Sequence, residues 1–338
     1  MKLIFDYRVL THTTYTGVEN YTKYIFENIK DKCDINIAKP KTTNKYLAHL
    51  WTHFILAFKS GDLLFCPANI APIFVPNSKK LVVTIHDIAF ITQPNSFSNI
   101  FRLYYTFVMP FVIRRADKII TVSEYSREEI LNYYPYSKGK IEVIYLGLDK
   151  SFNVMNIEKK NQILYVGSLN SRKNFIGVLK AFELLNSDNY KLVMVGNFSS
   201  NFSLDEENKQ ILQSAKNNPN IEFKSGISND ELIVLYNQSL LFLFPSFYEG
   251  FGLPVLEAMA CGTPVICSNK TSLPEVGGDA VVYCDPYNTE DIKEKIELVL
   301  GDETLLKELI QKGLNRAKEF SWEESANEHI KIFNEVIR

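Results

Sequence analysis

Apolar residues occur along the chain in two kinds of run. Short runs are rich in Val, Ile and Leu, and in longer stretches apolar residues recur every three or four positions. The first pattern is typical of strands buried on both faces, and the second of helices with one buried face. The short runs predict strands at residues 3–6, 62–65, 81–85, 118–122, 141–144, 162–166, 191–195, 240–244, 265–267 and 280–283. The longer stretches predict helices that include residues 18–30, 126–133, 176–185, 230–238 and 289–300.

Strands and helices alternate in two sets, which predicts two doubly wound α/β domains. We expect them to span residues 1–150 and 156–318, because a strand ends near Gly147 and a polar stretch follows it. We expect residues 319–338 to form a C-terminal helix that packs back on the first domain. Its apolar stripe comprises Trp322, Ala326, Ile330 and Phe333. Since ligands of open α/β sheets bind beyond the carboxyl ends of strands, we expect a site in a cleft between the domains.

Charge and composition exclude several classes of protein. The 338 residues carry a net charge of −2, which lacks the basic excess of a nucleic-acid-binding surface. Residues 1–150 are basic and residues 151–338 are acidic, which fits either two domains with different partners or ordinary drift of surface charge. The N-terminus reaches Asp6 too early for a signal peptide, and no uncharged apolar run approaches the roughly 20 residues of a membrane span.

Cysteine usage favours a reducing compartment. The five cysteines have scattered spacings with no Cys-x-x-Cys pair, so we expect buried free thiols and a cytoplasmic protein. Motifs for other chemistries are absent: the chain has no Gly-x-Gly-x-x-Gly, phosphate-binding P-loop, His-Glu-x-x-His or Gly-x-Ser-x-Gly. It also has no Asp-x-Asp, the simplest chelate between a metal ion and a diphosphate, so no metal site is predicted.

The segment 245–262 has the densest chemistry. A glycine-rich loop follows the strand at 240–244, and a helix is predicted after it with Pro254 as its first residue and Gly262 as its end. Glycines allow a ligand to approach the backbone, and amides at a helix N-terminus bind anions or hydroxyl groups. The amides in question belong to Gly250, Phe251, Gly252 and Leu253.

Two carboxylates flank this turn, Glu249 in the loop and Glu257 on the apolar side of the helix. Either could bind sugar or ribose hydroxyls. Two structural interpretations stay open: Ser246-x-x-Glu249 could form a capping box, and Glu257 could pair with an arginine in the core.

Polar residues also follow other predicted strands. Arg172 and Lys173 come after the strand at 162–166 and its Gly167-Ser168 turn, where two cations could neutralise a diphosphate without a metal ion. A solvated basic loop is the alternative. His86 ends the strand at 81–85; Asp87 beside it could orient the imidazole or cap the next turn.

The segment 245–262 resembles the Glu-x7-Glu motif of family 4 retaining glycosyltransferases, because seven residues separate Glu249 from Glu257. The resemblance runs almost from end to end of the chain. It includes Asp6-x-Arg8, Gly17-Val18-x-x-Tyr21, His86-Asp87, Ala116-Asp117, Val122-Ser123-Glu124-x-Ser126, Val166-Gly167-Ser168, Arg172-Lys173-Asn174, Ser272-Leu273-Pro274-Glu275-Val276 and Asp285-Pro286. It implies the GT-B fold, in which two Rossmann-like domains face a central cleft, with the acceptor on the N-terminal side and the nucleotide-sugar donor on the C-terminal side.

The resemblance also implies roles for individual residues. Arg172 and Lys173 would hold the departing diphosphate, and the backbone of Gly17 would approach it. Glu249 and His86 would contact the transferred sugar, and Glu257 the ribose. The donor site would further include Gly167, Ser168 and the loop containing Ile227, whose backbone would face the nucleotide base. Many relatives have Gly-Arg where this chain has Gly17-Val18, a departure that bears on the acceptor more than on the donor.

The expected reaction is metal-independent transfer of a hexose to a glycan or lipid-linked glycan with retention of configuration. The pattern at 272–286 looks most like that of bacterial surface-polysaccharide mannosyltransferases, which favours GDP-mannose over a UDP- or dTDP-sugar. A sugar-nucleotide epimerase of the same architecture and a binding scaffold without catalysis are the alternatives. The aromatic and basic segment 97–115 could contact an anionic membrane, or it could be a helix pair packed on its own domain.

Overall fold

The computed structural model describes residues 2–11, 17–42, 44–168, 170–197 and 205–338. The described residues form two six-stranded sheets in which every strand pair is parallel. The chain divides into two compact units. The first comprises Met1–Gly147 with Phe320–Arg338, and the second comprises Leu148–Glu319. The predicted α/β class with two parallel sheets is therefore confirmed.

The first unit has the strand order β2-β1-β3-β4-β5-β6. Its strands are β1 (Lys2–Asp6), β2 (Asp34–Ala38), β3 (Leu63–Cys66), β4 (Lys80–Thr84), β5 (Lys118–Thr121) and β6 (Ile141–Val143). Its helices are α1 (Gly17–Ile29), α2 (Lys45–Phe54), α3 (Ala89–Thr92), α4 (Asn99–Arg115), α5 (Glu124–Tyr133) and α13 (Trp322–Ile337). The chain moves from β1 to β2 on one side and to β3 on the other, so the strand order reverses at β1.

Helices cover both faces of this first sheet, which explains its continuous apolar strands. On one face Ile4, Leu64 and Val83 join the core of helix α4 around Val112. On the other face Phe65 lies 5.0 Å from Phe333 of α13 between ring centroids.

Helix α13 packs on α1 within the first unit. The ring of Trp322 stacks on Tyr24 at 5.0 Å, and the Trp322 backbone lies against Gly147. The predicted apolar stripe is nearly correct: Trp322, Ala326 and Phe333 are buried, but Ile330 is only half-buried, and His329 takes the buried position beside it.

The second unit has the strand order β12-β11-β10-β7-β8-β9. Its strands are β7 (Lys160–Val166), β8 (Lys191–Val195), β9 (Ile221–Lys224), β10 (Ser239–Phe244), β11 (Val265–Ser268) and β12 (Val282–Cys284). Its helices are α6 (Phe175–Leu184), α7 (Glu206–Asn217), α8 (Asn229–Gln238), α9 (Leu253–Ala260), α10 (Leu273–Gly277), α11 (Thr289–Gly301) and α12 (Glu303–Ala317). The strand order reverses between β7 and β10, and this is the point at which open α/β sheets bind ligands.

The segment 97–115 forms one helix, α4, rather than the helix pair given as an alternative. It buries Val108, Met109, Val112 and Ile113 in the first unit. A second side stays exposed and apolar, with Ile100, Leu103, Phe107 and Phe111 between 41% and 78% exposed. Within the described residues, no helix combines the length and the apolar character needed to span a bilayer.

Two strands were absent from the prediction, β2 and β9, and both lie at sheet edges. All five cysteines are free, as predicted, but Cys33 is half-buried whereas the other four are buried.

We predict that Gly147→Ala destabilises the first unit. A Cβ at Gly147 would lie 2.1 Å from the Trp322 backbone nitrogen, so α13 would have to move. We expect a loss of about 2 kcal/mol in unfolding free energy, measured by urea denaturation. Gly301→Ala is the matched control, because no described heavy atom lies within 4 Å of the added carbon. Equal stability of the two variants would contradict the prediction.

Candidate functional site

An ion pair lies where the strand order of the second sheet reverses. Lys173 follows β7 and Glu249 follows β10, and these two strands are neighbours. The Lys173 Nζ atom lies 2.6 Å from Glu249 Oε1 and 2.8 Å from Oε2. Both side chains are mostly buried, with 16% of Lys173 and 8% of Glu249 exposed. The structure thus brings together a cation and a carboxylate that the sequence predicted separately.

The loop after β7 is held in place by its own side chains. Residues Ser171–Lys173 form one 3-10 turn, which begins with the Asn170 side chain accepting from the Arg172 amide. Asn174 ends this turn with φ of +52° and caps α6 by accepting from the Gly177 amide. The Nδ2 group of Asn174 then donates to the carbonyls of Pro245 and Pro286, at 3.0 and 2.7 Å. One buried amide therefore ties together the loops that follow β7, β10 and β12.

The loop that carries Glu249 is anchored from the residues after β11. Thr271 Oγ1 accepts from the Glu249 amide at 3.2 Å, and Ser272 Oγ donates to the carbonyls of Glu249 and Phe251. The capping-box interpretation of Ser246 and Glu249 is wrong, because Glu249 pairs with Lys173. The Ser246 hydroxyl is buried with no hydrogen-bond partner among the described residues.

The glycine-rich turn leads into α9 as predicted. Gly252 has φ of +119°, a backbone conformation that favours glycine, and a Cβ there would lie 2.6 Å from the Leu273 side chain, which would have to shift. Leu253 is the first residue of α9 and Pro254 the second, one place later than expected. Gly262, with φ of +68°, lies just beyond the helix end. The amides of Gly250 through Leu253 stand in this turn, between Glu249 and α9.

Glu257 lies in α9 and pairs with a tyrosine, not with the core arginine that was the alternative. The Tyr236 hydroxyl donates to Glu257 Oε2 at 3.0 Å. Burial raises the pKa of Glu257 to about 7. The hydrogen bond from Tyr236 stabilises the charged carboxylate and so partly opposes this increase. The carboxylate therefore changes charge near neutral pH.

The other predicted donor residues of this unit follow β7 and β9. The Gly167 amide donates to Val195, and a Cβ on the neighbouring Gly196 would lie 2.0 Å from the Gly167 carbonyl oxygen. Ser168 is half-buried beside it. Ile227 lines a cavity of about 640 Å³ that β9 and the start of α8 form together. Gly196, which packs against the turn at Gly167 and Ser168, was not predicted from the sequence as part of that turn.

In the first unit, His86 follows β4 and is nearly buried. Its Nε2 atom lies 2.8 Å from the Pro67 carbonyl oxygen, and since a carbonyl can only accept, Nε2 carries the proton. Burial lowers the pKa of His86, so the imidazole is neutral near pH 7 and Nδ1 is an acceptor. The Ala89 amide donates to Asp87 Oδ1 at 3.0 Å, so Asp87 caps this turn, which is one of the two roles considered for it.

Tyr21, which the resemblance includes but to which no role was given, supports His86 and is itself held by His329. The Tyr21 ring packs edge-on against the imidazole at 4.7 Å, and its hydroxyl lies 2.8 Å from Thr84 Oγ1 and 2.6 Å from His329 Nε2. His329 Nδ1 donates to the Ser325 carbonyl, and burial lowers the pKa of His329 to about 4. Its Nε2 is therefore an acceptor, so Tyr21 donates to His329 and accepts from Thr84.

Gly17 is the first residue of α1, the helix that carries Tyr21. The same helix thus presents its N-terminus at Gly17 and fixes the His86 ring one turn later. A Cβ at Gly17 would have no described heavy atom within 4 Å, so packing in this structure does not itself require glycine there.

No metal centre is evident in the part of the chain that the structure describes, because no three His, Cys, Asp or Glu side chains cluster closely enough to hold an ion.

Comparison with protein families matches both units. Residues 16–152 match the model described as Glycosyltransferase Family 4, and residues 149–316 match the model described as Glycosyl transferases group 1. O-antigen chain mannosyltransferase B of Escherichia coli is 33% identical over 270 residues, covering 75% of this chain and 70% of that protein. O-antigen chain mannosyltransferase RfbU of Salmonella typhimurium is 32% identical over 254 residues, covering 75% and 69%.

Solved structures share the fold over the whole chain. Sucrose-phosphate synthase from Thermosynechococcus elongatus superimposes with a TM-score of 0.78 at 17% identity, covering 99% of this chain and 98% of that one. Anabaena Alr3699/HepE, solved in complex with UDP and glucose, gives a TM-score of 0.76 at 15% identity and covers 99% and 100%. These likenesses confirm the predicted GT-B fold class.

We predict that Glu257 titrates near pH 7 in the unliganded protein. Carbon-13 NMR of glutamate-labelled protein would follow the carboxyl signal, assigned by its loss in Glu257→Gln. The Tyr236→Phe variant removes the hydrogen bond that stabilises the charged form, so we expect its midpoint at higher pH. A midpoint near 4.5 in the unmodified protein, the ordinary value for glutamate, would contradict the prediction.

Proposed function

Because the chain belongs to the group 1 glycosyl transferases of glycosyltransferase family 4, we propose that it transfers mannose from GDP-mannose to a glycan or lipid-linked glycan, with retention at the anomeric carbon. The pathway we propose is bacterial lipopolysaccharide or related polysaccharide synthesis, which the names of two O-antigen mannosyltransferases support. The observation that carries the chemistry is the Lys173–Glu249 ion pair at the reversal of the strand order.

The ion pair is suited to a donor whose leaving group is anionic. In the unliganded protein each partner compensates the charge of the other in a site that excludes most water. A diphosphate would compete with Glu249 for the Lys173 ammonium, with Arg172 as a second cation. Once released, the Glu249 carboxylate can accept hydrogen bonds from sugar hydroxyls and stabilise positive charge that develops on the ring.

Fixed amides would add to this stabilisation. The turn at Gly252 and the N-terminus of α9 present backbone N–H groups, and α1 does the same at Gly17. These dipoles are held by the fold before the reaction begins, so they stabilise the departing diphosphate without a reorganisation cost. We therefore propose a metal-independent reaction, in which the leaving phosphate accepts the proton of the attacking hydroxyl on the same face of the sugar.

Glu257 would accept hydrogen bonds from the ribose hydroxyls of the nucleotide, and the loop around Ile227 would receive the base. His86 would accept a hydrogen bond from a hydroxyl of the transferred sugar at its unprotonated Nδ1. The neutral state of His86 matters, because an imidazolium could only donate at that position.

We also propose a peripheral contact with an anionic membrane on the cytoplasmic side. The exposed apolar side of α4, from Ile100 to Phe111, ends in Arg114, a combination that suits the interface of an anionic leaflet. Such a contact would bring a lipid-linked acceptor to the enzyme.

Incubation with a panel of GDP-, UDP- and dTDP-sugars tests the donor assignment. We expect acceptor-dependent release of GDP from GDP-mannose and an α-linked product by NMR. Isomerisation without an acceptor would instead indicate an epimerase, and binding without turnover a scaffold.

The membrane contact has its own test. The acceptor is supplied both as a soluble glycan and as a prenyl-linked glycan in anionic vesicles. Failure of the protein to sediment with the vesicles would contradict the membrane contact.

We predict that Lys173→Ala lowers turnover about 100-fold to 1,000-fold, since it removes a cation from the leaving group. The variant also leaves Glu249 buried without its cation, which lowers stability. The double variant Lys173→Ala with Glu249→Gln should therefore recover melting temperature while its turnover stays low. Lys180→Ala, an exposed lysine on α6, is the matched control.

The same assay tests whether the protein supplies all of the required positive charge. With fixed cations at the leaving group, EDTA should leave the rate unchanged. Near-normal turnover of Lys173→Ala would exclude the role given to Lys173, and strict dependence on added Mg²⁺ would contradict the proposal that protein cations alone stabilise the leaving group.

A further inference from the structure

The first unit contains a cavity of about 470 Å³ that no residue of the proposed donor site lines. It lies between α2 and the start of α4. Its wall includes His49, Leu50 and His53 from α2, and Phe101, Tyr104 and Tyr105 from α4. The volume falls in the range of small-molecule sites, and the wall combines aromatic rings with groups that can donate or accept hydrogen bonds.

A buried polar network lies behind this wall. Arg8, just beyond β1, is 4% exposed, and its Nη1 atom lies 3.3 Å from His49 Nδ1. Across the wall, the Tyr104 hydroxyl lies 2.7 Å from His53 Nε2. All of these residues belong to the first unit.

Several polar atoms of the network have unused hydrogen-bonding capacity. Arg8 Nε and Nη2 and His53 Nδ1 are buried, and none makes a hydrogen bond with any described residue. Leaving a buried donor or acceptor unpaired costs roughly 1–3 kcal/mol. His53 is the one of these two residues that lines the cavity, so a ligand there could complete the hydrogen bonding of its imidazole.

The charge of the network favours a neutral ligand. The Arg8 guanidinium faces the buried Asp6 carboxylate, with Nε 3.6 Å from Oδ2, so the pair has little net charge. Burial and the nearby Arg8 charge both lower the pKa of His53, which keeps its imidazole neutral. The charge of Arg8 is thus already compensated and would attract an anion only weakly, whereas a polyol could form hydrogen bonds with both donors and acceptors of the network.

The aromatic residues favour a sugar among neutral polyols. Phe97, Phe101 and Tyr105 form a continuous stack with centroid distances of 5.2 and 4.2 Å, and Phe101 is 38% exposed. A hexose presents an apolar C–H face that packs on such rings, and hydroxyl groups around its edge that need hydrogen-bond partners.

We infer that the cavity between α2 and α4 binds a hexose unit of the acceptor glycan. This inference rests on the proposed function, since a transferase needs a second carbohydrate site besides that of its donor. It assigns hydroxyl recognition to Tyr104 and His53, which line the cavity, and ring packing to the aromatic stack. Arg8 acts from behind the wall, as the hydrogen-bond partner of His49.

Direct binding tests the inference without any donor. Saturation-transfer NMR would be recorded with the methyl glycosides of mannose, glucose, galactose, N-acetylglucosamine and rhamnose. We expect at least one to bind the unmodified protein and to lose its signal with Leu50→Trp. Leu50 is 53% exposed on the cavity wall, so the larger ring fills the cavity without disturbing the core. Absence of binding by every glycoside, or equal binding to both proteins, would overturn the inference.

Kinetics separate this site from the donor site. Tyr104→Phe keeps the ring but removes the hydroxyl, and we expect it to raise the acceptor KM about tenfold, the effect of one lost hydrogen bond. Its affinity for GDP should stay unchanged, whereas its melting temperature should fall slightly because His53 Nε2 loses its partner. Tyr133→Phe, an exposed tyrosine of the same unit, is the matched control. An unchanged acceptor KM, or an equal loss of donor affinity, would count against the cavity, whereas failure of GDP-mannose as donor would leave the glycoside-binding result intact.

Discussion

The contact between Lys173 and Glu249 depends on the topology of the second sheet more than on any local sequence feature. Strands β7 and β10 are neighbours although about 75 residues separate them, because the chain adds β8 and β9 on one side before returning to the other. The loops beyond these two strands then diverge toward opposite faces of the sheet and leave a crevice. Two charges placed there lose much of their hydration, so each requires the other, and in our proposal a charged ligand replaces one of them.

The proposed replacement of Glu249 by a diphosphate as the partner of Lys173 needs rigid surroundings. Asn174 donates to two loops while capping α6, and Ser272 holds two carbonyls of the loop that carries Glu249. Gly252 holds the turn with a φ of +119°, which favours glycine. Because these constraints exist in the fold itself, the turn amides would need little reorganisation to face the donor in the site that we propose, which is the condition for strong electrostatic stabilisation.

The sequence predicted most of the fold because buried parallel strands and amphipathic helices leave strong local patterns. The edge strands β2 and β9 were not predicted, because half-exposed strands such as Ile221–Lys224 mix polar and apolar residues and lack a continuous apolar run. The site residues on strand ends were identifiable from their position in the chain. Their partners were not: Tyr21 meets His329 across 308 positions, and Tyr236 meets Glu257 on a separate helix. Contacts of this kind follow from tertiary packing, for which a single sequence has no periodic signal.

Polar groups of two kinds occur in the proposed sites of the two units. In the second unit Lys173 and Glu249 form an ion pair, and burial raises the pKa of Glu257 to about 7. In the first, burial keeps His86 and His329 neutral, and the guanidinium of Arg8 is compensated by Asp6. Neutral donors and acceptors suit sugar hydroxyls, whereas fixed charges suit a diphosphate. The reaction that we propose requires both chemistries, and the neutral groups around His86 and the Lys173–Glu249 ion pair each suit one of them.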